Sequence, residues 1–155
     1  VRVGWGCDAH RFGGDGPLII GGVELAADRG LLATSDGDVA FHAIADAVLG
    51  AAALGDLGTH FPSSDERWHG ADSAALLSRV VEMTGEQGLS VTGVDVTIIA
   101  QSIRISPYRE AMRLRLAEIL GIPEDRVSVK ATTTDGMGFL GRDEGIAAVA
   151  VATLT

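Results

Sequence analysis

The sequence predicts an α/β (α+β) chain: a mixed β-sheet with helices packed on one face, in a single domain. Three observations carry that prediction. Segments with strand-like alternation take turns with three long apolar helical segments, and a hairpin signal is mixed among them. The 155 residues, 46% of them hydrophobic, suit one core. Only 5% are aromatic, so that core must come from Ala, Val, Leu and Ile.

Arg2 to Asp8, continuing through Ala9 and His10, alternates weakly and reads as a strand, with Asp8 and His10 pointing to one face. Arg11 to Pro17 is a glycine-rich loop. Leu18-Ile19-Ile20 and Val23-Glu24-Leu25 flank Gly21-Gly22, a hairpin signal. Ser35 to Gly55 reads as a long buried helix with Asp36 and Asp38 in or beside its first turn, where negative charge suits the helix dipole. Thr59 to Gly70 is a polar loop suited to a lid or substrate wall. Asp72 or Ser73 caps a helix reaching Thr84, with Leu76, Val80 and Met83 on its apolar stripe. Val91 to Gln101 is the clearest strand, with Val94, Val96, Ile98 and Ala100 on one face. Ser106 is read as an N-cap before Pro107, opening a helix to Leu120. Pro123 to Asp125 turns into a strand over Val127 to Thr132; a loop over Gly136 to Gly145 precedes a closing strand over Ile146 to Leu154.

The formal charge is −9, and no basic stripe runs along the chain. Nucleic acid and anionic membranes are therefore poor partners. No apolar run reaches the length of a membrane-spanning helix, and no signal peptide is evident. Cys7 stands alone and is read as a packing residue; Trp5 and Trp68 are read as structural or contact residues. Together these features suit a bacterial cytoplasm, with a plastid as the alternative.

Two groups of residues carry chemistry. Asp8, His10 and His42 offer two imidazoles and a carboxylate, a donor set that suits Zn²⁺ with one position open for substrate. Asp38 and Asp46 lie four residues either side of His42, and either suits the role of its outer hydrogen-bond acceptor. Each residue has a plainer reading on spacing alone: His42 as a hydrogen-bonded core histidine, Asp8 and His10 as a strand-end pair, Asp38 as a cap and Asp46 as a surface charge. The second group is Lys130 to Asp135, K-A-T-T-T-D, entering a glycine-rich loop. Its hydroxyls and amides suit phosphate oxygens, and Asp135 suits a harder cation such as Mg²⁺; a glycine-rich turn is the plainer reading. His60 and His69 are assigned to solvent.

Taken in order, G-W-G-C-D-A-H-R-F at 4–12, S-D-G-D-V-A-F-H-A at 35–43, G-D-L-G at 55–58, H-F-P-S-S-D at 60–65, G-A-D-S at 70–73, D-V-T-I-I-A-Q at 95–101 and K-A-T-T-T-D-G-M-G-F-L-G-R-D-E-G-I-A at 130–147 resemble the 2-C-methyl-D-erythritol 2,4-cyclodiphosphate synthase family. The resemblance spans essentially the whole chain. It implies a phosphorus–oxygen lyase of isoprenoid precursor synthesis, assembled as a homotrimer around a central sheet-lined core, with sites shared between neighbouring subunits. Asp8, His10 and His42 would then hold zinc, and Asp135 a second divalent cation, Mg²⁺ or Mn²⁺. Thr34 and Thr133 would stand by the phosphate under attack, with Thr132 and Thr134 beside them. Ala9, Ser35, Asp56, Leu57, Gly58 and the run Phe61, Pro62, Ser63, Ser64, Asp65 would surround the methylerythritol phosphate. Ala100, Gln101, Ser102, Ile103, Arg104, Ile105 and Ser106 would form a cytidine pocket. Phe139 and Arg142 would lie towards a central cavity able to take an isoprenoid diphosphate.

The chain departs from the family pattern at several of these positions. Thr34 replaces a usual histidine, Asp135 a usual glutamate, Ser63 a common aspartate and Arg104 a usual lysine, while Cys7 stands near the central cavity where larger apolar residues are common. The zinc ligands are all retained. Some relatives are fused behind a cytidylyltransferase domain, and a chain opening on Val1 leaves that arrangement open.

Overall fold

Helix α1 (Val39–Ala52) organises the chain, and its boundaries follow from local chemistry. Asp38 is the N-cap, accepting from the backbone N–H groups of Ala40 and Phe41, and Ala53 ends the helix in the left-handed region at φ 58°. The helix is apolar almost all round, as a helix enclosed by its own fold must be. Its residues outside the core, His42, Asp46 and Gly50, recur every fourth position and form one open stripe.

A computed structural model describes all residues, Val1–Thr155. Beneath α1 lies a five-stranded sheet of β1 (Arg2–Phe12), β4 (Leu31–Leu32), β5 (Val91–Ile99), β6 (Val127–Thr132) and β7 (Gly145–Leu154), in the order β4-β1-β7-β5-β6. β7 is antiparallel to both β1 and β5, and β6 is parallel to β5. β1, β5 and β6 therefore run the same way, and their C-terminal ends share one edge of the sheet. Strands β2 (Leu18–Ile20) and β3 (Val23–Leu25) form the expected hairpin. Helices α3 (Ser73–Glu86) and α4 (Arg109–Leu120) complete the layer on the α1 face. The predicted mixed sheet with helices on one face is what the chain forms, and Val94, Val96, Ile98 and Ala100 point into its core.

The contact between α1 and β1 depends on two residues that lack a side chain. A Cβ on Gly4 would lie 1.9 Å from the Ala47 carbonyl oxygen, and one on Gly6 would lie 2.0 Å from that of Ala43. Glycine lets the helix backbone rest directly on the strand, opposite an alanine face. Two strand residues span roughly 6.8 Å and four helix residues about 6 Å, so each step from Gly4 to Gly6 matches one from Ala47 to Ala43.

Some local expectations need correction. Ser106 caps nothing: Ser106–Tyr108 is a 3-10 turn without a side-chain cap, and α4 starts at Arg109. The short elements α2 (Leu57–His60) and α5 (Gly138–Gly141) fall in stretches read as a helix end or loop, and β4 lies between the hairpin and the helix, where no element was expected. Cys7 is exposed rather than packed, on the sheet face away from the helices. Val3 and Trp5 are each 65% exposed on that same face of β1.

Asp38 ties the hairpin to α1. Its fully buried carboxylate accepts from Gly21 and Gly22 at 2.8 and 2.7 Å, besides its two helix donors. Gly21 and Gly22, at φ 61° and 72°, make the tight turn that aims those donors. Burial pushes the Asp38 carboxyl from 3.8 up to about 6, against the lowering effect of the Gly22, Gly21 and Phe41 N–H groups. A carboxyl raised in the folded state takes up a proton there first, so stability rises as pH falls from about 6 towards 3.8, by at most about 3 kcal/mol. Urea midpoints measured in chelator are expected to be higher at pH 5 than at pH 7; a lower midpoint at pH 5 would contradict this assignment.

Candidate metal centre

The glycine contact also sets where the chemistry lies. Beyond Gly6 the next residues on the same face of β1 are Asp8 and His10, and there the strand meets the first turn of α1, which carries His42. Asp8 Oδ2 lies 2.9 Å from His10 Nε2 and 2.9 Å from His42 Nδ1, and the two nitrogens are 3.3 Å apart. The three side chains are 24%, 20% and 14% exposed, so the cluster is sheltered yet reachable.

These separations test whether the residues suit a metal. Tetrahedral zinc with ligands at 2.0–2.1 Å places neighbouring donors roughly 3.3 Å apart. One oxygen and two nitrogens at 2.9–3.3 Å from one another meet that requirement. Electrostatics agree with it. Burial works to raise the Asp8 carboxyl, but hydrogen bonds from His10 and His42 hold it well below the usual carboxylate range. Burial likewise opposes charge on His42, and only the Asp8 hydrogen bond together with the negative charges of Asp8, Asp38 and Asp36 overcomes it, raising the imidazole.

The outer nitrogen of His42 does not meet Asp38 or Asp46, contrary to the spacing argument. His42 Nε2 lies 2.9 Å from Ser73 Oγ and 3.2 Å from Ser35 Oγ. Asp38 is turned to the hairpin, and Asp46 accepts the Leu57 N–H at 2.8 Å, holding the start of α2. Asp36 also lies outside the helix, bonded to Ser73.

The cluster opens into a cleft of about 350 Å³, within the range of small-molecule sites. Thr34 and Ser35 form part of its wall, with Leu57, Gly58, Phe61 and Ser63 opposite. Asp46, Trp68 and Leu76 also line it, beyond the residues expected there from sequence. Trp68 stands edge-on to Phe61, with centroids 4.9 Å apart, a wall contact invisible until the loop folds. Asp56, Pro62, Ser64 and Asp65 do not line the cleft: Asp56 caps α2 through Thr59, and Asp65 pairs with Arg67 at 2.6 Å. His60 is half-buried and bonded to the Leu54 carbonyl at 2.7 Å rather than turned to solvent; His69 is exposed and meets the Ser63 carbonyl. Ala9 faces the other side of β1, where Phe139 and Arg11 line a smaller hollow of about 270 Å³.

The remaining expected site residues gather elsewhere. Thr132 and Ala100 adjoin at the ends of β6 and β5, where the Ala100 N–H meets the Thr132 carbonyl. The Gly136 N–H donates to Gln101 Oε1 at 3.2 Å, joining the two loops. Arg29 Nη2 donates to Ser102 Oγ at 2.7 Å and to Asp143, fastening the 100–106 segment to the loop after β6. Ala100 and Ile105 are buried in the core and present only backbone, and Ile103 packs against it. Arg104, Thr132, Thr133 and Asp135 are exposed, with Asp135 in the left-handed region at φ 55°. Arg142 pairs with Glu144. Since β6 is three strands from β1, this second group lies roughly 14 Å across the sheet from the metal cluster.

The YgbB family model matches residues 1–155. The chain belongs to the YgbB family. Within it, a protein of Erwinia tasmaniensis called 2-C-methyl-D-erythritol 2,4-cyclodiphosphate synthase is 56% identical over 154 residues, covering 99% of this chain and 98% of that protein. One of Marinobacter nauticus with the same name is 54% identical, covering 99% and 97%. Among solved structures, the bifunctional IspDF of Campylobacter jejuni superposes with a TM-score of 0.95 at 40% identity; the match covers 99% of this chain and 42% of that longer one. A CDP-bound 2C-methyl-D-erythritol-2,4-cyclodiphosphate synthase gives 0.91 at 32% identity, covering 99% of this chain and all of the other. The family shares this fold from end to end, including the strand and helix that carry Asp8, His10 and His42.

Proposed function

We propose that the chain converts 4-diphosphocytidyl-2-C-methyl-D-erythritol 2-phosphate into 2-C-methyl-D-erythritol 2,4-cyclodiphosphate and CMP, as a phosphorus–oxygen lyase of isoprenoid precursor synthesis. The observation that carries this reading is a donor triad with zinc-like spacing, set in a cleft of substrate size, in a chain whose relatives bear that activity's name. An oxygen of the 2-phosphate attacks the β-phosphorus. One P–O bond forms, the bond from that phosphorus to the bridging oxygen breaks, and CMP leaves with the electron pair.

The nucleophile is already ionised at neutral pH, so the protein's task is to place two mutually repelling anions in line. Asp8, His10 and His42 would hold zinc and Asp135 a second divalent cation, Mg²⁺ or Mn²⁺, which when bound would polarise phosphate oxygens as Lewis acids. This is how a chain of net charge −9 accommodates an anionic substrate. Thr34 and Thr133 offer hydroxyl donors to the phosphate under attack, and the cleft wall of Ser35, Leu57, Gly58 and Phe61 encloses the methylerythritol. The Ala100–Ser106 segment takes the cytidine, a reading supported by CDP in solved relatives.

The homotrimer belongs to the same proposal. The separation of the two residue groups within one chain supports a site completed by a neighbouring copy. The bare face of Val3, Trp5 and Cys7 supports burial against such copies, with Phe139 and Arg142 by a central cavity able to take an isoprenoid diphosphate. A bacterial cytoplasm is the corresponding location.

The test is ³¹P NMR of the purified protein with the diphosphocytidyl substrate, Zn²⁺ and Mg²⁺. Cyclic diphosphate and CMP are expected together; substrate surviving in the presence of zinc-loaded protein would reject the assignment. In the same assay Thr34→His is expected to raise turnover by about 10²-fold, since one preorganised donor at such a site is worth 10²–10³. Unchanged or slower turnover would show that the reaction does not depend on a group there.

A further inference from the structure

The G-A-D-S stretch at 70–73 and Asp36 have no part in the function as described, yet they converge behind a proposed metal ligand. Ser73, the first residue of α3, is 1% exposed, and its Oγ lies 2.9 Å from His42 Nε2. The same hydroxyl donates to Asp36 Oδ1. Asp36 is fixed in turn by the Ser73 N–H on Oδ2 at 3.0 Å, by the Asp38 N–H on Oδ1 at 3.1 Å, and through its own N–H to the Ala71 carbonyl at 3.2 Å.

We propose that Asp36 and Ser73 form a relay that presents His42 to the metal through Nδ1. The number of available protons fixes the direction of each hydrogen bond. An ionised carboxylate only accepts, and a serine hydroxyl has one proton to give. With that proton committed to Asp36, Ser73 can only accept from His42. His42 Nε2 must therefore carry a hydrogen, which leaves Nδ1, the nitrogen that shares its proton with Asp8, as the one to exchange that proton for a metal facing Asp8 and His10. Ser35, bonded to no carboxylate and 3.2 Å away, imposes no such direction. Asp36 and Ser73 are thus positioning residues acting through His42, and the inference rests on reading Asp8, His10 and His42 as a metal site.

The experiment uses the whole 155-residue chain and Zn²⁺ itself. Zinc affinity is measured by competition with a chromophoric chelator for the parent, Ser73→Ala, Ser73→Thr and Asp8→Asn. Ser73→Ala is expected to weaken zinc 10- to 100-fold, the usual cost of losing an outer partner of a ligating histidine, with Ser73→Thr restoring most of the loss. Long-range ¹⁵N–¹H spectra of the zinc-loaded parent provide a readout that does not depend on any variant folding: Nε2 of His42 is expected to bear the proton and Nδ1 the metal. Parental affinity in Ser73→Ala, or a spectrum with the proton on Nδ1, would overturn the relay while leaving the metal site standing. A parent that takes up no zinc, or an Asp8→Asn variant that takes up as much as the parent, would overturn the metal reading and the relay with it.

Discussion

Asp8→Ala is expected to abolish both zinc retention and cyclisation. Asp8 Oδ2 is the shared partner of both imidazoles, 2.9 Å from each, and its charge offsets the cost of placing two histidines in a sheltered crevice. Without it, two neutral ligands remain at a site built for three. The loss should exceed the 10- to 100-fold that follows removal of an outer hydrogen-bond partner, and turnover should fall at least as far. Metal content after dialysis and ³¹P turnover measure the two effects on one sample. A variant that keeps stoichiometric zinc and near-parental rate would show that Asp8 is not a ligand.

The second large effect involves no ligand at all. Gly6→Ala places a methyl 2.0 Å from the Ala43 carbonyl oxygen and 2.7 Å from the Ala47 nitrogen, both backbone atoms of α1. No rotamer relieves that clash, so the helix must lift from the strand. The expected cost is about 3 kcal/mol or more, and at 2–4 °C per kcal/mol for a chain of this size the melting temperature falls by roughly 10 °C. Lifting α1 also draws His42 away from Asp8 and His10, so zinc affinity should drop although all three donors remain. Gly50→Ala is the control. Its Cβ would meet nothing closer than 4.0 Å, and alanine favours the helix by up to about 1 kcal/mol. If Gly6→Ala melts with the parent and binds zinc equally well, the close contact does not position the cluster.

The parts of this molecule legible in its sequence are those with a period. The alternation of β5, the Gly21-Gly22 hairpin and the apolar run of α1 all predict elements that form, because one side-chain pattern decides each of them. The triad of Asp8, His10 and His42 was legible only in part. Spacing puts Asp8 and His10 on one face of a strand and sets His42 in an apolar helix, but it equally suits a strand-end pair and a core histidine, and the family resemblance is what favoured a metal. What spacing could not supply was the partner of each polar group. Asp38 and Asp46 have the right interval to serve His42, yet backbone donors of the hairpin and of α2 claim them. Ser73, thirty-one residues from His42, takes the role they were expected to fill. Trp68 and Leu76 reach the cleft only through the path of an irregular loop, which carries no periodic signal. Ser106 resembled a cap by composition, but its stretch winds as a 3-10 turn and leaves its hydroxyl without that task.

The direction of the strands has a practical corollary for anyone attaching something to this protein. Arg2 pairs with Leu154, so both ends of the chain emerge side by side at one end of the β1–β7 ribbon. His10 lies eight residues further along β1, roughly 27 Å away at 3.4 Å per residue. A purification handle, a fluorophore or a second folded unit joined at either Val1 or Thr155 therefore departs from the end of the ribbon remote from the metal cluster.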